Sequence, residues 1–218
     1  MIINELIKRI ISSAILIPIA LFFIIKGGFL FIFFILICFL ITTYEWHKMT
    51  SKKLYYLPGL IFLILSFYSA YEIREYKGTG NLEIFLYVLV VCVSTDIGGY
   101  IFGKIFKGPK LTMVSPKKTY AGVIGGYLLS IIFYYLFINS HYFSLSYEIT
   151  ANDFIFILLI STISQLGDIT ISYFKRLSKI KDTGKILPGH GGLLDRIDGM
   201  IFAFPAAYII IKMISINF

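Results

Sequence analysis

Charge is scarce in this chain. Only 15% of its 218 residues are Asp, Glu, Lys or Arg, 58% are hydrophobic, and the mean hydropathy is +0.84. A soluble globular domain carries about 25% charged residues, so the deficit excludes that class. Cysteine is nearly absent as well. Cys38 and Cys92 both sit inside apolar runs, as small buried side chains do, and no cysteine cluster exists to hold zinc. Histidine is limited to His47, His141 and His190, with no Ser-His-Asp or Cys-His arrangement around them, which removes the common nucleophilic hydrolases. There is no low-complexity linker and no internal repeat. The opening "KRIISSAILIPIALFFII" has the basic start and apolar middle of a secretory leader, but no small-x-small cleavage site follows, so an uncleaved first helix is expected.

Long apolar runs are what the chain has in abundance. They cover 10–25, 27–44, 54–71, 84–103, 119–147, 154–174 and 199–218, broken only by Asp96, Asp168 and Lys212. A helix needs about 20 apolar residues to cross the hydrocarbon layer. The pattern therefore predicts an all-α, polytopic integral membrane protein with about seven transmembrane helices, the first short enough to need Lys8, Arg9 and Lys26 reaching outward at its ends. If the amino terminus lies inside, Lys26, Arg74, Lys77 and Lys212 are the only basic residues of the chain left outside. That asymmetry predicts an inner amino terminus and an outer carboxyl terminus, with the excess charge of +8 gathered on the cytoplasmic face. We read residues 1–218 as a single membrane domain. Within it, 1–80 form amino-terminal lipid-embedded helices, and 81–218 form a catalytic part with two polar inner-face loops, 104–119 and 175–198.

The first three spans contain nothing catalytic on this reading: Tyr44 and Trp46 are expected as interface anchors, and Glu45, His47 and Lys48 as headgroup-facing residues. The loop 139–151, with His141, has no basic residue and is expected outside. The second half differs. Asp96 and Asp168 fall within spans, where an ionisable group costs at least a few kcal/mol and marks a functional position by default. Asp96, Gly99, Tyr100, Gly103 and Lys104 share one helical face, and Ser164, Asp168, Ser172 and Arg176 form a stripe leading to the second basic loop. Glycine and serine stripes also serve close helix packing, which accounts for the glycines but not for the aspartates.

The densest polar stretch is "KDTGKILPGHGGLLDRIDG", Lys181 to Gly199. Asp195 and Asp198 are three apart at the expected start of the last helix, so their carboxylates can point the same way. With Asp168 they make an all-oxygen set suited to Mg²⁺, whose shell is completed by water and substrate phosphates. Taken singly, Asp195 also fits an ion pair with Arg196 or Lys185 across a solvated loop. "PGHGG", Pro188 to Gly192, precedes that helix, and its glycines leave amides open to an anion. Lys175, Arg176 and Lys181 flank it. "KGPKLTMVSPKKTYAGVIGG", residues 107–126, repeats the scheme with lysines, a serine and a threonine before a glycine-rich helix. Cations and amides for several phosphates, carboxylates for Mg²⁺ and no side-chain nucleophile together point to phosphoryl or nucleotidyl transfer at the inner membrane face, with a lipid as one substrate.

"SYFKRLSKIKDTGKILPGHGGLLDRID", Ser172 to Asp198, resembles the motif of the phosphatidate cytidylyltransferases, also called CDP-diacylglycerol synthases. "TDIGGYIFGKIFKGPKLTMVSPKKTYAGVIGG", Thr95 to Gly126, and "SQLGD", Ser164 to Asp168, are similar to that family's other polar segments. The resemblance covers about residues 90 to 218. Where the family usually has Trp-Glu-Gly, this chain has Tyr120, Ala121 and Gly122.

The resemblance implies a nucleotidyltransferase of phospholipid biosynthesis: CTP and phosphatidic acid give CDP-diacylglycerol and pyrophosphate. It implies Asp168, Asp195 and Asp198 as metal ligands and, with Lys175, Arg176 and Lys181, as the catalytic set. Asp96, Ser115, Lys117, Lys118, Thr119, Gly189, His190, Gly191, Gly192 and Arg196 are the expected substrate-binding residues. The expected partners are CTP, phosphatidic acid and the lipid bilayer of a bacterial-type inner membrane, with a second copy of the chain as a further candidate and no nucleic acid. A CTP-dependent polyprenol or phytol kinase shares the metal logic but releases CDP, and a transporter would place its polar groups near the midplane instead of at one face.

Overall fold

The computed structural model describes residues 2–75, 81–140, 150–187, 189 and 191–216. His141, Pro188 and His190 lie outside the described residues. All of the regular structure described is helical: α1 (Ile2–Lys26), α2 (Gly28–Thr50), α3 (Tyr56–Glu75), α4 (Asn81–Phe106), α5 (Tyr120–Ile138), α6 (Ala151–Leu177), the single turn α7 (Leu194–Ile197) and α8 (Met200–Ile216). Five of these, α2 to α6, are long and apolar enough to cross a membrane, and two shorter apolar helices cover Ile11–Lys26 and Met200–Met213. The chain is a multi-pass membrane protein. Its apolar exterior agrees: Phe29, Leu57, Ile124 and Leu136 are among many large hydrophobic side chains left exposed on the helices.

Local chemistry sets the helix starts. Thr119 caps α5 by accepting from the Gly122 amide, and Thr150 caps α6 in a reciprocal box with Asp153. At 27 residues α6 is about 40 Å long, exceeding the ~30 Å hydrocarbon layer, and its last turn carries Lys175 and Arg176. At the opposite end of the bundle the α1–α2 turn is held from α3. Arg74 donates to the carbonyls of Ile24 and Ile25 at 2.7 and 3.1 Å, and Glu75 accepts from the Gly28 amide at 2.9 Å. Polar backbone groups at such a turn would otherwise be costly beside lipid.

Glycine decides how α4 meets α5. The two helices run antiparallel, and a Cβ on Gly98 would collide with the backbone carbonyl of Gly125. A Cβ on Gly122 would sit 2.8 Å from the carbonyl oxygen of Gly99. Backbone lies on backbone, which only glycine allows. This contact ties the 107–119 segment at both ends, and a backbone bond from the Leu111 amide to the Lys118 carbonyl closes it further. Gly98→Val is expected to yield little monodisperse protein in detergent, since overpacking against a main chain costs about 1–3 kcal/mol or more. Ile124→Val, on the exposed side of α5, is the control that should behave as wild type.

Two apolar clusters fill the interior. One joins Phe31, Ile73, Phe85, Val88, Ile157, Ile160 and Phe204. The other lies towards the loop end and joins Trp46, Met49, Leu63, Ile171, Leu194 and Ile201. Trp46 is therefore not an interface anchor. It is 2% exposed, packs edge-on to Phe174, and donates its indole N–H to the Tyr56 carbonyl at 3.0 Å. Glu45 departs from expectation too: it is 1% exposed and turned into the protein, away from headgroups.

Candidate active site

Two small-residue contacts bring the polar residues of α6 and of the last segment together. A Cβ on Gly167 would sit 2.9 Å from the Asp198 carbonyl oxygen, and one on Gly199 would collide with Ser164. Asp168 follows Gly167 and Asp198 precedes Gly199, so this close crossing sets the two carboxyls within hydrogen-bonding reach of each other. From the other loop, Lys118 places its Nζ 2.6 Å from Asp168 Oδ2 and 3.3 Å from the Gln165 carbonyl. Ser172 donates to Asp168 Oδ1 at 3.3 Å. Asp96 lies within electrostatic reach of Asp168, Lys118 and Arg196. The first basic loop thus meets the Asp168–Asp198 pair through Lys118, with Asp96 in electrostatic range.

Asp198 is 7% exposed. Burial, and then the charge of Asp168, push its carboxyl well above the usual carboxylate range, with Lys175 opposing and Asp96 adding to the rise.

Asp195 is placed differently. The last helix begins only at Met200, and Asp195 belongs to the separate turn α7, so the two aspartates face different partners. Lys175 Nζ lies 2.8 Å from Asp195 Oδ1, with side chains 10% and 5% exposed. Oδ2 accepts from the Thr183 amide at 2.8 Å, the Thr183 hydroxyl at 3.1 Å and the Gly192 amide at 3.0 Å. Burial alone would raise this carboxyl, but the Lys175 contact and the two amides outweigh it and hold it below its ordinary value. The partner is neither Arg196 nor Lys185, and the pair is buried.

The glycine segment is ordered by the protein's own groups. Gly189 and Gly191 have positive φ, 76° and 89°, and Leu187 and Gly191 exchange backbone bonds in a tight loop. The Gly192 amide is taken by Asp195, and the Leu193 and Leu194 amides are taken by Glu45. The amides of residues 191–194 are thus engaged within the protein. Lys117, Lys181 and Arg196 are exposed, Ser115 and Lys118 half-buried, and Thr119 serves as the α5 cap. Arg176 donates to the Ile180 carbonyl at 3.1 Å and lines an apolar groove of about 520 Å³ with Met113, Val114, Pro116, Tyr173 and Leu177.

The Cytidylyltransferase family matches residues 7–76 and 59–214. The chain belongs to this family. It is 37% identical over 215 residues to a protein of Rickettsia typhi named phosphatidate cytidylyltransferase, an alignment covering 92% of this chain and 89% of that relative. A Rickettsia bellii protein of the same name is 37% identical over 218 residues, covering 95% and 91%. One from Haemophilus influenzae is 42% identical over 128 residues, covering 57% and 44%.

Family membership sharpens the question of the metal. Among the described residues, no group of three or more His, Cys, Asp or Glu is drawn together at ligand spacing. A pair fits better: Asp168 and Asp198 adjoin and both are hard oxygen donors, one of them in contact with Lys118. Mg²⁺ needs only one or two carboxylates, with water and phosphate oxygens completing its shell. Asp195 is engaged with Lys175, Thr183 and Gly192. Two members of the site have no sequence pattern to announce them, Glu45 and Thr183. A buried Thr183 hydroxyl bridging two carboxylates, Glu45 at 3.0 Å and Asp195 at 3.1 Å, is visible only in three dimensions.

Proposed function

We propose that this cytidylyltransferase-family chain transfers the cytidylyl group of CTP to phosphatidic acid, giving CDP-diacylglycerol and pyrophosphate in phospholipid biosynthesis. The observation that carries the reading is the Lys118–Asp168 contact beside Asp198, which joins the first cationic loop to a carboxylate pair where a triphosphate and a lipid phosphate can meet. A phosphate oxygen of the lipid attacks the α-phosphorus of CTP in line. The bond from that phosphorus to the bridging oxygen breaks, and pyrophosphate leaves with the electron pair. The attacking group is already ionised, so no side chain needs to take a proton.

Lys118 and Lys117 from one loop, with Lys181 and Arg196 from the other, neutralise the phosphates, and Ser115 and Thr119 border them. Asp96 orients the nucleotide or completes the metal shell. Lys175 reaches the site through Asp195. Asp168 and Asp198 are the residues we assign to Mg²⁺, with Asp195 as the third of the expected set. When bound, the ion supplies charge neutralisation for the transferring and leaving phosphates. The groove beside Arg176, apolar with one guanidinium at its edge, suits the diacylglycerol part of the lipid near its phosphate.

We place the chain in the inner membrane with seven crossings, α1 and α8 completing the five long helices, and with the amino terminus and both basic loops on the cytoplasmic side. Residues 1–80 then serve as lipid-embedded support for a catalytic part, 81–218. Purified protein given CTP, Mg²⁺ and phosphatidic acid is expected to release pyrophosphate and form CDP-diacylglycerol. Release of CDP with a phosphorylated polyprenol or phytol, and no reaction with phosphatidic acid, would assign the chain to lipid kinases instead.

A further inference from the structure

Glu45 stands near the end of α2, in the part of the chain that carries none of the residues assigned to the reaction. Its carboxylate is buried, and its partners among the described residues are hydrogen-bond donors, not cations. Oε1 accepts from the Leu193 amide at 3.0 Å, while Oε2 accepts from the Leu194 amide at 2.8 Å and the Thr183 hydroxyl at 3.0 Å. Space has been cleared for it. A Cβ on Gly184 would sit 2.6 Å from Oε1, and one on Gly192 would sit 2.6 Å from Oε2 and collide with the Thr183 hydroxyl. The two glycines are thus needed for a carboxylate to reach this depth.

These contacts continue directly into the site. Thr183 gives its amide to Asp195, its hydroxyl lies between the Glu45 and Asp195 carboxyls, and Asp195 holds Lys175. The Leu193 and Leu194 amides fix the backbone that leads through α7 to Asp198. An amide N–H is aimed at each carboxyl oxygen, and the one Thr183 hydroxyl hydrogen is shared between Glu45 and Asp195. Glutamine would present an NH₂ group to at least one N–H or O–H donor, and aspartate would fall one methylene short.

We propose that Glu45 is a positioning residue for the reaction: by binding Thr183, Leu193 and Leu194 it holds residues 183–198 in the register that sets Asp198 beside Asp168. The proposal rests on the function given above for its kinetic arm, but not for its structural one.

The test compares Glu45→Gln, Glu45→Asp, Thr183→Val and Thr183→Ser with wild type, all purified in detergent. Amide exchange is read at Gly192, Leu193 and Leu194, and kcat and KM for CTP are normalised to folded protein. Glu45→Gln should exchange at least tenfold faster at Leu193 and Leu194, with kcat reduced about 10- to 100-fold, the scale of a misplacement near 1 Å. KM should change less, because Glu45 touches neither substrate. Glu45→Asp should fall between Glu45→Gln and wild type. Thr183→Val should reproduce part of the loss and Thr183→Ser should recover it, which decides the matter if Glu45→Gln fails to fold. Wild-type exchange at these amides in Glu45→Gln, or an unchanged kcat per folded molecule, would overturn the proposal. If the wild-type protein makes no CDP-diacylglycerol, the functional reading fails, while the exchange data still judge the role of Glu45.

Discussion

Asp198→Asn is expected to abolish turnover and, in EDTA at neutral pH, to raise the melting temperature of the protein. The two effects have one cause. Asp198 is buried beside Asp168, and its carboxyl lies well above the ordinary carboxylate value in the folded protein, first through burial and then through the charge of its neighbour. The folded state therefore binds this proton more tightly than the unfolded chain does. Stability from the group is fully present below the unfolded value and is lost as pH rises through the folded one. Asparagine has no such loss, so the gap in melting temperature between variant and wild type should widen as pH rises across that window and vanish at its acid end. Turnover should fall about 10³-fold, because a neutral amide removes the charge proposed to hold the cation. A variant that melts lower than wild type across the whole range, or keeps a tenth of the rate, would contradict this account. Sites that crowd charge for chemistry are commonly held at the expense of stability.

Lys175→Met should act in the opposite sense, losing fold as well as activity. Lys175 is, among the described residues, the cation in contact with Asp195, and both side chains are largely buried. Removing one partner of a buried pair leaves an uncompensated charge, a loss of about 3–5 kcal/mol. The double variant Lys175→Met with Asp195→Asn should recover much of that stability, since an asparagine carbonyl can still accept from the Thr183 and Gly192 amides, yet it should remain inactive. Denaturation followed in one detergent across the four proteins measures the coupling. Strict additivity of the two single changes would show that the pair is not an energetic unit. Acid should weaken this contact in wild type: the Asp195 carboxyl is held below its ordinary value, so its contribution is present above the unfolded value and fades as pH falls through the folded one.

The helices and the polar residues of the second half could be read from sequence because each leaves a pattern of its own. Apolar runs mark the spans, and Asp96 and Asp168 stand out against them. The break in the last segment was harder to see. An i, i+3 spacing suggests that Asp195 and Asp198 share a face, but α7 is one turn and Gly199 lies flat against Ser164, so the first aspartate turns to Lys175 and the second to Asp168. Asp195 finds a lysine twenty residues back along the chain in preference to the nearby Arg196 or Lys185. Glu45 was the least visible. Between Tyr44 and Trp46 near a helix end it has the setting of an interface residue, and most of its partners are backbone amides, which carry no side-chain identity to be read. Thr119, expected at the phosphates, also caps α5, a role that serine and threonine commonly fill where a helix begins.

The bond between Glu45 and Thr183 joins residues separated by 138 positions. A ribosome adds about 5–20 residues per second, so the carboxylate of α2 is made roughly 7 to 28 seconds before its hydroxyl partner. Through that interval Glu45 has none of the donors from residues 183–194 that later surround it, and an unsatisfied buried carboxyl is costly. Burial of Trp46 and Met49 against Leu194 and Ile201 waits for the same moment. Synthesis of the final segment therefore closes the second apolar cluster and the candidate site together, and a nascent chain halted before Thr183 would leave the loop end of that cluster open.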